Sequence, residues 1–381
     1  MFINVPYRVS ASSWTIRNLM TQLTRRSVLQ GITGAAAVGA LSLAGASPAA
    51  AAAKTTLKVL VLNAWHGGKQ VAGGVSMIAE IIKNSGATLV FIPEAKETTA
   101  DIVARLNAGG ASFNYKLTGD NAIISAYPIG EATAMPHITK AVVTVGSVEI
   151  AAYAAHLQYQ WYATYLPRGY GAGVPSGEYS QYGWNKIPSG PVTDAAAVAQ
   201  VNEDSGRPAV IARFIQDARI EKKRGRAIII GGDFNEPSTL DWTKRTAKLF
   251  DHNGVVLPWK STQLLHDAGY VDAYRRQYPS PVTHPGFTWP ASTPLAPVST
   301  LTWAPEADER DRIDYIFHLP DARLKLKDAR VVGPRASIVK NQRVTEPGKD
   351  RFVLEDAPWP TDHKGVLASY TVRSEAKAPK Q

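Results

Sequence analysis

The chain has 381 residues, 45% of them hydrophobic, which suits one large domain or two ordinary ones with a sizeable core. It contains no cysteine, so a disulfide scaffold, a thiolate zinc site and a lipid-modified cysteine at a processing site are excluded. The formal charge of +10 suits a phosphorylated or polyanionic substrate but does not single out nucleic acid, because the basic residues are scattered apart from the run 221–226.

The first 53 residues read as an export signal. Thr24-Arg25-Arg26-Ser27-Val28-Leu29-Gln30 is a twin-arginine motif, followed by a modestly apolar stretch over 31–45 and an alanine-rich one over 49–53. The apolar stretch is too short and too rich in Gly and Ala to span a membrane, and no later segment approaches the length required. The expectation is a protein recognised by the twin-arginine export machinery, carried already folded, and secreted or held in the periplasm or cell envelope as a soluble monomer. This leader has four arginines and no acid, so the +10 falls to +6 once it is removed.

Strand-like and helix-like segments then alternate. The strand over 57–62 runs into Asn63, and the one over 88–92 runs into Pro93-Glu94; helices are expected over 75–84 and 99–106. The strand over 150–155 ends at His156. From 157 to 192 the chain carries Tyr159, Trp161, Tyr162, Tyr165, Tyr170, Tyr179, Tyr182 and Trp184 among Gly and Pro, and so many rings imply an ordered insertion rather than a linker. One expectation makes it a wall of the substrate cleft, with Tyr159 and Trp161 stacking on a base, sugar or inositol and Arg168 reaching a second phosphate. The other packs the rings into a local minicore. A helix over 209–220 ends in the basic run, read as a solvated C-terminus.

The run Ala227-Ile228-Ile229-Ile230 is a strand buried on both faces, and Gly231-Gly232 is expected to end it in a sharp turn that presents Asp233 and Asn235. Two residues apart at a strand end, a carboxylate serves as base or metal ligand and a carboxamide as donor to an oxyanion. An Asx turn closed by Pro237 is the structural alternative. A second insertion, 279–305, is rich in Pro, Ser and Thr and is expected to wrap the rim before a strand over 312–317 that carries Asp314. Asp311 is a weaker candidate. Asp362-His363 precedes a last strand over 366–370, and the polar tail 374–381 is expected to fray.

Read in order, these blocks resemble the endonuclease/exonuclease/phosphatase superfamily over roughly 57–372, most specifically in Gly232-Asp233-Phe234-Asn235, Arg312-Ile313-Asp314 and Asp362-His363. Alternation alone points to a parallel α/β sheet. The resemblance instead implies an α+β protein with the deoxyribonuclease I-like four-layer α/β/β/α arrangement, a two-layer β-sandwich flanked by helices, over residues 54–373. It implies a phosphoester hydrolase, more a phosphodiesterase than a monoesterase, using Mg²⁺, with Mn²⁺ able to substitute, held by Glu94, Asn63 and Asp362. Asp233 would activate water, Asn235 would donate to the phosphoryl oxygen, and His363, oriented by Asp314, would contact the scissile phosphate. His156 would donate to a phosphate oxygen or to the leaving group. Pro93 departs from the family, which more often has Gln before the metal-binding Glu.

The substrate class stays open among a nucleic acid, a sphingomyelin-like phospholipid head group and an inositol phosphate, and a non-catalytic binding module is the alternative of another kind. His66, His252, His266, His284 and His318 match no family block and are taken as structural or surface residues.

Overall fold

The computed structural model describes residues 53–374, so the expected export signal, apart from Ala53, and the tail after Ser374 lie outside the described residues. Fifteen strands follow in chain order: β1 (Lys54–Val61), β2 (Leu89–Ile92), β3 (Asn114–Thr118), β4 (Asn121–Ser125), β5 (Thr133–Met135), β6 (Ile138–Val145), β7 (Val148–His156), β8 (Ala227–Asp233), β9 (Val271–Asp272), β10 (Asp314–His318), β11 (Leu324–Val332), β12 (Ala336–Val339), β13 (Gln342–Thr345), β14 (Phe352–Val353) and β15 (Gly365–Arg373). The helices are α1 (Gly74–Ser85), α2 (Thr99–Ala108), α3 (Ala195–Asp204), α4 (Arg207–Lys223), α5 (Lys260–Asp267) and α6 (Ala273–Gln277).

Two sheets carry the fold, one ordered β14-β11-β15-β1-β2-β4-β3 and the other β5-β6-β7-β8-β10-β9. Most neighbours are antiparallel, with β1–β2, β7–β8 and β11–β14 the parallel pairs. Side-chain alternation explains why the strands look uniformly apolar. Leu57, Val59 and Val61 of β1 meet Ala227 and Ile229 of β8 in the core between the sheets. Leu60 of β1 turns outward beneath Ile78 and Ile82 of α1, and Ile228 and Ile230 of β8 turn outward beneath Ile211 and Phe214 of α4. With both faces of each central strand covered, period two is masked by continuous hydrophobicity. The result is the four-layer α/β/β/α sandwich rather than the parallel sheet that alternation suggests.

The glycine pair corrects a second expectation. β8 does not end at Gly231-Gly232 but runs through them to Asp233. Gly232 has φ 144°, and a Cβ there would lie 1.9 Å from the Ala155 carbonyl oxygen, so glycine is what lets β8 approach β7 at the rim. The chain breaks two residues later, at Asn235 with φ 47°. At the far end Ser374 is tied down: its N–H donates to Ala53 O at 3.0 Å and its hydroxyl accepts from Ser147 N at 3.2 Å.

Candidate active site

The topology gathers the polar strand ends. β1 and β2 run parallel, and Asn63 and Glu94 lie just beyond their carboxyl ends. β7 and β8 also run parallel, in a register that sets His156 against Asp233. β10 is antiparallel to β8 with Asp314 opposite Asp233, and β15 is antiparallel to β1, so Asp314 and the Asp362-His363 pair reach the same rim from their strands' amino ends. A cleft of about 780 Å³ opens there, with Glu94, His156, Asp233, Asn235, Asp362 and His363 in its lining.

Asp233 is the hub. Its Oδ2 accepts from Asn63 Nδ2 at 3.1 Å and lies 3.7 Å from His363 Nε2 and 3.9 Å from His156 Nε2, while its Oδ1 accepts from the Asn235 N–H at 2.8 Å. Each imidazole is held from behind by a second acid. His363 Nδ1 is 3.0 Å from Asp314 Oδ2, and His156 Nδ1 is 2.7 Å from Asp120 Oδ2. Asp314 is itself fixed by Thr288, whose Oγ1 accepts from the N–H groups of Ile313 and Asp314 at 3.0 and 3.1 Å. Asn235 Nδ2 donates to Leu157 O at 3.1 Å.

On the other side of the hub, Glu94 Oε1 accepts from Asn63 Nδ2 at 3.1 Å and Oε2 from the His66 N–H at 2.7 Å. The backbone is strained there: Trp65, His66 and Glu94 all have positive φ, at 44°, 53° and 60°. Left-handed conformations of non-glycine residues cost free energy and persist where the surroundings enforce them.

Burial sets the electrostatics. It penalises the imidazolium of His363, but Asp314 and Asp233 outweigh that and raise His363 well above the usual range. Burial likewise opposes charge on His156, and Asp120, Asp233 and Glu94 bring it up to about 9. Burial pushes Asp362 up to about 6, with Glu94 and Asp233 adding to the rise. It raises Asp233 too, though His363 and His156 restrain it. Glu94 ends below the usual carboxylate range because His156, the His66 N–H and Asn63 outweigh its desolvation. At neutral pH the centre therefore holds two imidazolium groups facing a cluster of acids.

The carboxylates fit a hard dication. Glu94 and Asp362 line the cleft near one another, without the close imidazole contact that Asp120 and Asp314 make and without the lysine that pairs with Glu97, and Glu94 adds to the rise that burial imposes on Asp362. Asn63 is placed with its NH₂ toward Glu94 and Asp233 while its Oδ1 accepts from Trp65 N at 2.9 Å, so it becomes an oxygen ligand only if the amide turns over. Asp233, Asp314 and His363 also bring ligand atoms within 4.8 Å of one another. In that trio His363 Nδ1 is hydrogen-bonded to Asp314 at 3.0 Å, while its Nε2 faces Asp233 at the longer distance of 3.7 Å.

The profile of the Endonuclease/Exonuclease/phosphatase family matches residues 60–363, a span that closes on His363. The chain belongs to that family. Its members are phosphoester hydrolases, nucleases and phosphatases among them. An uncharacterized Caenorhabditis elegans protein, F14F9.5, is 32% identical over 157 residues, which are 40% of this chain and 43% of that protein. The match thus spans less than half of that relative's length. Among solved structures, the family member from Beutenbergia cavernae is 14% identical over 85% of this chain and 73% of its own, with a TM-score of 0.44. One from Bacteroides thetaiotaomicron is 12% identical over 84% of this chain and 99% of its own, with a TM-score of 0.43.

The structure brings together Asn63, Glu94, His156, Asp233, Asn235, Asp314, Asp362 and His363. Tyr159 lines the cleft, but two other residues expected to bind substrate do not. Arg168 is buried and gives its guanidinium to Asp311, at 2.6 Å through Nη1 and 3.2 Å through Nη2, so it has no reach to a second phosphate. Asp311, the weaker candidate, is spent on that pair. Trp161 is half-buried and packs against a cluster that includes Leu166, Trp242 and Trp259, away from the cleft lining. His66, taken as structural or surface, has its ring on the cleft beside Glu94.

Sequence reasoning missed Asp120, which sits in the turn between β3 and β4, where a Gly-Asp-Asn run signals only a turn. It also missed Arg207 and Glu236. Arg207 donates to the carbonyls of Gln158 (2.6 Å), Gln160 (3.0 Å) and Trp161 (2.8 Å), pinning the chain just after His156. Glu236, next to Asn235, lies 3.5 Å from Arg207 Nε and accepts from Ser261 N and Oγ at 2.7 and 2.6 Å.

Proposed function

We propose that this chain is an exported, divalent-metal-dependent phosphodiesterase in which water attacks phosphorus in line and no covalent enzyme intermediate forms. The observation that carries it is the position of Asp233, bonded to Asn63 and within 3.7 and 3.9 Å of two imidazoles that are each backed by their own carboxylate. Glu94 and Asp362, with Asn63, would hold Mg²⁺, for which Mn²⁺ can substitute. Such an ion neutralises charge on the phosphoryl oxygens and stabilises the departing oxygen.

The protein groups divide the remaining work. Asp233 orients the attacking water and accepts its proton. His363, kept charged by Asp314, contacts the scissile phosphate, and the amide of Asn235 donates to a phosphoryl oxygen as negative charge grows there. His156, oriented by Asp120, donates to a phosphate oxygen or to the leaving group. The cleft's cationic side chains other than histidine are Lys69 and Lys96, and Lys69 is paired with Glu97. That modest positive charge suits the single charge of a diester better than the double charge of a monoester. Export rests on the sequence of the leader, above all on Arg25-Arg26.

The test is turnover of bis-p-nitrophenyl phosphate by the purified protein. It should require Mg²⁺ or Mn²⁺, stop in EDTA, and fall by about a hundredfold to ten-thousandfold in Asp233→Asn or His363→Ala with folding retained. Turnover that ignores EDTA sinks the metal assignment, and no turnover with metal present sinks the hydrolase. For export, changing Arg25 and Arg26 to lysine should leave the protein in the cytoplasm.

A further inference from the structure

Rings from the two insertions wall the cleft beside its charged centre, in two tiers. Tyr162, Tyr165 and Trp289 form a buried tier. The hydroxyls of Tyr162 and Tyr165 donate to Asp311 (3.1 Å) and Glu309 (2.7 Å), and Glu309 also accepts from Thr302 Oγ1 and from the N–H groups of Trp303 and Ala304 at 3.1 and 3.0 Å. In front of it lie Tyr159, 52% exposed, Trp303, 45% exposed, and the half-buried Trp184. Trp184 is nearly parallel to Tyr159, with 15° between planes and centroids 6.3 Å apart, and meets Trp303 edge-on at 4.8 Å.

The geometry points to a subsite for a flat aromatic substituent of the ester, a nucleobase or an aryl group, laid on Tyr159, Trp184 and Trp303 while the phosphate sits at Asp233. This deepens the phosphodiesterase reading and rests on it. With most hydroxyls of the wall already engaged, the wall suits a ring better than a polyol such as inositol. Several ligand hydroxyls would need several free partners, yet Tyr162, Tyr165 and Thr302 all point their hydroxyls into carboxylates and Thr300 donates to Pro297 O at 2.8 Å. The cleft's cations suit one phosphate better than a polyphosphate or a duplex, which call for an arginine-rich track. Among the described residues no arginine lines the cleft, and Arg168, the one expected to reach it, is locked on Asp311. Besides the hydroxyls of Ser299 and Tyr159, what the wall offers a ligand is the faces of its rings. Stacking on such faces is worth about fivefold to a hundredfold in affinity per base and tolerates any base.

The experiment measures binding of thymidine 5′-monophosphate, phenyl phosphate, methyl phosphate and inositol 1-phosphate to the full protein with Mg²⁺, by calorimetry and by quenching of tryptophan fluorescence. The two aromatic phosphates should bind at least about fivefold tighter than methyl phosphate and quench the fluorescence. Tighter binding of the nucleotide identifies a base as the occupant, and tighter binding of phenyl phosphate identifies an aryl ester. Tyr159→Ala combined with Trp303→Ala should erase the preference, and the double Phe variant should keep most of it; both positions are exposed, and a thermal melt checks the fold. Equal affinity for methyl phosphate and the nucleotide, tighter binding of inositol 1-phosphate, or a preference that survives the double Ala variant overturns the subsite. Hydrolysis of bis-p-nitrophenyl phosphate fails separately: turnover without ring preference refutes the subsite alone, and ring preference without turnover supports the subsite while refuting the hydrolase.

Discussion

Replacing Arg207 with Met separates the strut beneath the site from the chemistry above it. The guanidinium is 1% exposed, donates to three carbonyls and to Asn202 Oδ1 (2.8 Å), and lies 3.5 Å from the carboxylate of Glu236. Desolvation bears on both partners: it lowers Arg207 and raises Glu236, in each case disfavouring the charged form. Removing the arginine alone strands a buried acid and three carbonyls, for a loss of about 3–5 kcal/mol. At about 2 °C per kcal/mol for a domain of this size, that lowers Tm by roughly 6–10 °C. If the acid is the larger part of the loss, Glu236→Gln in the same chain restores part of it, and a double-mutant cycle in urea should show a coupling of about 1–3 kcal/mol. Activity should fall further than stability, because Arg207 pins the chain after His156 while Glu236 adjoins Asn235. A single mutant costing under about 1 kcal/mol, or a double mutant equal to the sum of the singles, would refute the strut.

Gly232→Ala should yield little soluble protein or lose more than about 4 kcal/mol in chemical unfolding, since its Cβ would sit 1.9 Å from Ala155 O; near-native stability would contradict the close approach of β7 and β8. Thr288→Val leaves the buried N–H groups of Ile313 and Asp314 without their acceptor, so stability should fall by about 2–5 kcal/mol and kcat should fall more than KM rises, as Asp314 loosens behind His363. His318, beside the Tyr370 hydroxyl at 3.2 Å, is pushed down to about 4 by burial. Because its folded value is depressed, its contribution is complete above pH 6.5 and is lost as the pH falls toward 4, at most about 3 kcal/mol; His318→Asn should flatten that part of a stability-against-pH curve.

Much of the rim was legible in the sequence because several of its members stand where an apolar strand stops, and the family resemblance supplied the rest. Asn63 after LKVLVL, His156 after IAAYAA and Asp233 after AIIIGG are polar groups where the hydrophobic pattern stops, and a strand end in such a sheet is a cleft edge. The layer arrangement was not legible from pattern alone, because helices cover the outer faces of both sheets and turn alternating strands into continuous apolar runs. The supports of the site were hidden for a different reason. Asp120 occupies an ordinary turn, and Arg207 and Glu236 look like any charged pair, since burial is a property of the assembled fold. Arg168 misled for the same reason: a basic residue beside a candidate cleft reads as phosphate-binding until its own buried acid is known.

Segment 309–314 joins the aromatic wall to the catalytic centre. Glu309 takes the Tyr165 hydroxyl and the Trp303 N–H, Asp311 takes Arg168 and Tyr162, and three residues on Asp314 takes His363. Arg312, between them, pairs not with Asp314 but with Asp241 (2.9 Å) and Asp272 (2.7 Å), which leaves the Asp314 carboxylate free for the imidazole. One stretch of chain therefore anchors the wall, locks itself to the scaffold and orients a histidine. The aromatic wall and the acid behind His363 are thus held by one stretch of backbone. Because Glu309, Asp311 and Asp314 are each fixed in this segment, the wall and the acid behind His363 share one anchored stretch of chain, an arrangement that favours rigid placement.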